Sequence, residues 1–150
     1  MNRRIKIALL ILAAVGVSAC SRLQPVEVIH QKVPASSQAP LTTSSLRPAL
    51  IQALLRNRWT IEQDEPNRLL ARLDFRGHSA SITLDYVADR YDIRYRDSEE
   101  LGYKNGKIHK RYNALVKKLD RTIQQEVRLA QSLATIPRER PRDVSQPIPQ

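Results

Sequence analysis

The stretch "RLLARLDFRGHSASITLDYVADRYDIRYRDSE", residues 68–99, decides the fold. Leu69, Ala71, Leu73 and Phe75 alternate with Arg72, Asp74 and Arg76, and Gly77-His78 then supplies a turn. Ala80, Ile82, Leu84 and Tyr86 alternate with Ser81, Thr83 and Asp85. After Asp89-Arg90, Tyr91, Ile93 and Tyr95 alternate with Asp92, Arg94 and Arg96. A period of two with one apolar side marks strands buried on one face and wet on the other, and links this short allow only antiparallel neighbours.

Upstream, "RWTIEQDEP" (residues 58–66) sets Trp59, Ile61 and Gln63 against Thr60, Glu62 and Asp64, and Pro66-Asn67 turns the chain. Trp59, at the start of this strand, reads as a core residue. Before it, Leu46, Ala49, Leu50, Ala53 and Leu54 recur at helical spacing after Thr43 or Ser44 as cap, with Pro48 early and an end near Asn57. Downstream, the loop "SEELGYKNGK" (residues 98–107) leads to a long helical pattern. Its apolar stripe is Ile108, Tyr112, Leu115, Leu119, Ile123, Val127 and Ala130. The expected fold is α+β, a two-layer sandwich: a four-stranded antiparallel meander with an N-terminal and a C-terminal helix on one face, spanning residues 46–134.

The flanks have a different character. From Ser21 to Ser45 the chain is rich in Pro, Ser, Thr and Gln, lacks aromatics, and carries only Arg22, Glu27 and Lys32 as charged residues. Such a composition predicts a flexible tether over 20–45, on the order of 25–30 Å long as a coil. The Pro- and Arg-containing tail, residues 135–150, predicts disorder.

At the N-terminus, Arg3, Arg4 and Lys6 precede an apolar run from Ile7 to Val17, about half of what a membrane-spanning helix needs. A basic start, a short apolar core and small residues at its end predict a secretory signal over residues 1–19. Cys20 is the single cysteine and has no partner for an intramolecular disulfide. Val17-Ser18-Ala19-Cys20 resembles the lipobox of bacterial lipoproteins. The domain pattern, including "LGYKNGKIHKRYN" before an amphipathic helix, resembles small lipoproteins of proteobacteria. The resemblance implies cleavage before Cys20, acylation of its thiol and membrane anchoring. Ser21, where Asp would favour inner-membrane retention, leans toward an outer-membrane protein whose domain faces the periplasm. It implies no catalytic residue.

Removal of Arg3, Arg4 and Lys6 with the signal lowers the formal charge from +10 to +7. In an exported protein this basicity points to anionic envelope surfaces rather than nucleic acid. Two surfaces qualify. Arg72, Arg76, Arg94 and Arg96 lie among Glu62, Asp64, Asp74, Asp85 and Asp92 on the open sheet face, either as cross-strand pairs or as a docking face for an envelope protein or an anionic glycolipid. Lys110, Arg111, Lys117 and Lys118 lie on the last helix, as a solvated face or as a basic edge toward membrane or wall. His109, with Tyr112 and Asn113 beside it and Asp97 to Glu100 upstream, admits a catalytic reading and a helix-start packing reading. Histidines at 30, 78 and 109 show no metal-ligand spacing, and phosphate-cradle, dinucleotide and nucleophile-elbow motifs are absent from the sequence. No cofactor is implied, and the expected role is non-catalytic binding.

Overall fold

A computed structural model describes residues 22–34 and 42–135; the signal segment, Cys20 and the tail beyond 135 lie outside the described residues. Four strands form the expected meander: β3 (Thr60–Glu65), β4 (Arg68–Phe75), β5 (His78–Val87) and β6 (Arg90–Glu99). Two-residue turns join them. Asn67 after Pro66 has φ 64°, and Arg76-Gly77 has φ 48° and 77°, so both central residues of the second turn are left-handed, as the twist of a tight hairpin requires. Helices α1 (Thr43–Arg56) and α2 (Lys110–Ala134) pack on each other and on the sheet. The architecture is α+β.

The strand count exceeds the expectation. β1 (Leu23–Pro25) and β2 (Ile29–Lys32) come from the segment read as tether, and β7 (Lys107–His109) from the loop before α2. β2 adds an antiparallel edge to β6, giving a five-stranded sheet of order β2-β6-β5-β4-β3, while β1 and β7 form a separate antiparallel pair. The correction has a physical cause. Ile29 and Gln31 turn inward along β2 while His30 and Lys32 stay exposed, an alternation too short to stand out in a Pro/Ser/Thr background. Ile108, placed on the helical stripe from sequence, instead belongs to β7, where it is fully buried.

One core joins the layers. Trp59, just before β3, and Leu69, Ala71, Ile82, Leu84, Tyr91 and Ile93 on the strands meet Leu46, Leu50 and Leu54 of α1 and Tyr112, Val116, Leu119 and Ile123 of α2. α1 begins one residue earlier than expected, capped by Thr42, whose hydroxyl accepts from Ser45 N while Ser45 Oγ accepts from Thr42 N. Asn57 and a left-handed Arg58 (φ 63°) close it, bringing Trp59 directly into the core.

Candidate functional site

The sheet face away from the helices carries arginines that are already spent. Arg72 donates to Asp74 and Glu99 at 3.0 and 2.8 Å, and Ser79, buried beneath, also donates to Glu99. Hydrogen bonds to Asp74 and then Glu99 hold the Arg72 guanidinium above its ordinary pKa. Asp85 accepts from Arg68 at 2.6 Å and also from Arg94, while Arg96 pairs with Glu62 across the two intervening strands. Two residues depart from the expected face. Arg76 lies in the β4–β5 turn, and Asp64 pairs with Arg47 of α1. A bulge opposite Ser81/Ile82 makes Arg96 the extra residue of β6, so strict alternation fails there. The face is a network of opposite charges.

His109 serves as the N-cap of α2. Its Nδ1 accepts from Arg111 N at 3.2 Å, which leaves the ring proton on Nε2 in this geometry. Its backbone N–H donates to Leu101 O at 2.9 Å. Among the described residues no hydrogen bond or ion pair joins the ring to Asp97, Ser98, Glu99 or Glu100: Asp97 accepts from Ser98 N, and Glu99 is held by Arg72 and Ser79. The constellation a His109-based reaction would need is not assembled among these groups.

Tyr112 and Asn113 are structural. Tyr112 is fully buried, meets Tyr95 edge-on at a centroid distance of 5.5 Å, and its hydroxyl has no hydrogen-bond partner among the described residues. Burial, then the Tyr95 phenol, raises its pKa well above the ordinary value. Asn113 fastens the β1–β2 connection: Oδ1 accepts from Glu27 N at 3.0 Å and Nδ2 donates to Pro25 O at 2.8 Å. Sequence reasoning missed this clamp, as it missed the hairpin at "KNGK", where Lys104 and Lys107 exchange backbone hydrogen bonds around Asn105 (φ 51°) and Gly106 (φ 72°). Asn-Gly is the strongest short hairpin signal in a sequence, and it was there to find.

Of the helical cations, Lys117 reaches Glu27 at 3.3 Å, whereas Lys110, Arg111 and Lys118 are exposed and form no ion pair among the described residues. Lys110 and Arg111 occupy the first turn of α2, which holds no acidic residue, so two positive side chains stand at the positive end of the helix dipole. A cavity of about 90 Å³ between β2 and α2, lined by Val33, Tyr91, Gln124, Val127 and Arg128, is well below the ~300 Å³ at which small-molecule pockets begin. Among the described residues there is no cluster of three or more potential metal ligands, and no helix is long and apolar enough to cross a membrane. No family model and no curated protein matches the chain.

Proposed function

We propose that this chain is a lipid-anchored protein of the bacterial envelope whose α+β domain acts by binding, as a non-catalytic accessory or structural component of the outer membrane facing the periplasm. One observation carries the reading: a basic start, a short apolar run and Val17-Ser18-Ala19-Cys20 occur in the order of a lipoprotein signal. The described fold takes up β1 at Leu23, three residues after the proposed acylated cysteine. Acyl chains on Cys20 add roughly 0.8 kcal/mol of membrane affinity per buried methylene, and two or more chains together make a stable anchor.

Intact mass and membrane fractionation of the protein expressed in a Gram-negative host, wild type against Cys20→Ser, test the anchor. Wild type is expected to lose residues 1–19, gain acyl mass and sediment with outer membrane, and the variant to do neither. An unmodified Cys20 in a soluble protein overturns the reading. Crosslinking of the anchored form in cells then identifies the envelope partner.

A further inference from the structure

The chain enters the fold at a pole that carries five exposed cations. Arg22 O accepts from Lys110 N at 2.8 Å, Leu23 stands opposite His109, and Pro25 stands opposite Lys107. The Asn105-Gly106 hairpin lies alongside, with Val26 N donating to Gly106 O at 2.9 Å. Arg22, Lys104, Lys107, Lys110 and Arg111 are all exposed, and none forms an ion pair among the described residues. No Asp or Glu occurs from Gly102 to Leu119. By contrast, Arg72, Arg94 and Arg96 on the sheet each hold a carboxylate. Tyr103, stacked on Tyr95 at a centroid distance of 4.4 Å yet half exposed, adds an amphipathic ring to the pole.

Chain length decides what this pole meets. Three peptide steps separate Cys20 from Leu23, which spans at most about 11 Å even fully extended. That is close to the ~8–10 Å screening length at physiological salt, so an anchor at Cys20 holds these cations inside the field of charged headgroups. A coil of 25–30 Å would have carried them beyond it. We infer that the pole bearing Arg22, Lys104, Lys107, Lys110 and Arg111 lies against the anionic phospholipid headgroups of the leaflet that holds the anchor, an inference that rests on the proposed lipidation of Cys20. Headgroup phosphates supply the negative charge that the first turn of α2 lacks. α2 then leads away from the bilayer, with Arg128 about 27 Å along its axis from Lys110.

The test supplies the anchor chemically, so that it does not depend on acylation in cells. The chain from Cys20 onward is coupled through its only thiol to a maleimide lipid in vesicles of phosphatidylcholine, with or without one part in three phosphatidylglycerol. Acetylation rates of individual lysines are then read by mass spectrometry. Lys104, Lys107 and Lys110 are expected to react at least about fivefold more slowly on the anionic vesicles, the effect of roughly one favourable surface contact per lysine. Lys32, at the far end of β2, is expected to be unchanged, and the difference is expected to vanish near 0.5 M salt. Equal rates on both vesicles, equal slowing of Lys32, or slowing only when lipopolysaccharide replaces the phospholipid each overturns the inference. Acyl mass on Cys20 in cells is scored separately, so a pole that does not meet the headgroups is distinguished from an anchor that does not form.

Discussion

Asn113 Oδ1 accepts a hydrogen bond from the backbone N–H of Glu27 across 86 residues of sequence, while its Nδ2 donates to Pro25 O. One buried side chain thus satisfies an acceptor at the end of β1 and a donor of the connection that follows it. Asn113→Ala is expected to cost about 1–3 kcal/mol in urea unfolding, because both backbone groups lose their partner near the core. Glu27 amide exchange should quicken well beyond that of the β5 amides, and a loss below 0.5 kcal/mol would mean that water replaces the clamp without penalty.

If residues 23–28 belong to the domain, removing them must hurt. A chain beginning at Ile29 loses β1, the Asn113 contacts and the Glu27–Lys117 ion pair together. Its stability is expected to fall by at least as much as in Asn113→Ala, with Ile108 newly exposed to solvent. An unchanged melting temperature would return this segment to the status of a tether.

The meander was legible because its apolar and charged residues alternate over whole strands, from Leu69 to Tyr95, and because Pro66-Asn67 and Gly77 punctuate it. α1 was legible to within a residue of its cap. β1 and β2 were not, since strands of three and four residues carry too few positions for a period to emerge, and β1 is exposed throughout. The site suffered for a related reason. Arg76 fell on the sheet face only while the β4–β5 turn was centred one residue too late, and the His109–Tyr112–Asn113 grouping hid three separate jobs: a cap, a core ring and a clamp. Burial distinguishes these jobs, and sequence spacing does not.

Tyr112 carries a buried hydroxyl that no described residue satisfies. Leaving such a group unpaired in the core costs on the order of 1–3 kcal/mol, whereas phenylalanine keeps the edge-on contact with Tyr95. Tyr112→Phe is therefore expected to raise stability by about 1 kcal/mol, read as a higher urea midpoint at unchanged slope. A drop of similar size would reveal a partner for the hydroxyl.

Alkaline pH should unfold the protein through the same ring and through Tyr91. Burial first, then the Asp120 carboxylate that it bonds at 2.6 Å, raises the Tyr91 pKa well above its ordinary value of 10.0. Below pH 10 both folded and unfolded chains keep these protons, and stability does not depend on them. Above it the unfolded chain loses protons that the folded chain retains, so stability falls by up to about 1.4 kcal/mol per pH unit for each tyrosine. Unfolding curves between pH 9 and 11 should show the loss of stability across that window reduced by about 1.4 kcal/mol in Tyr91→Phe, with a further reduction when Tyr112→Phe is added. An unaltered slope would show that other groups govern the alkaline limit.

Arg56 and Glu126 tie the last turn of α1 to the buried side of α2. The two partners are unequal: the Glu126 side chain is 10% exposed and that of Arg56 60%. Removing the arginine strands a carboxylate with little access to water, while removing the glutamate frees a guanidinium that solvent already reaches. Arg56→Ala is therefore expected to cost about 1–3 kcal/mol, and Glu126→Gln, which keeps the volume and an acceptor without the charge, less than half of that. Arg56→Ala combined with Glu126→Gln should be more stable than Arg56→Ala alone, since the second change removes the charge that the first left unpaired. Additive losses in this double-mutant cycle would show that the carboxylate is hydrated in place and that the helices do not depend on the pair.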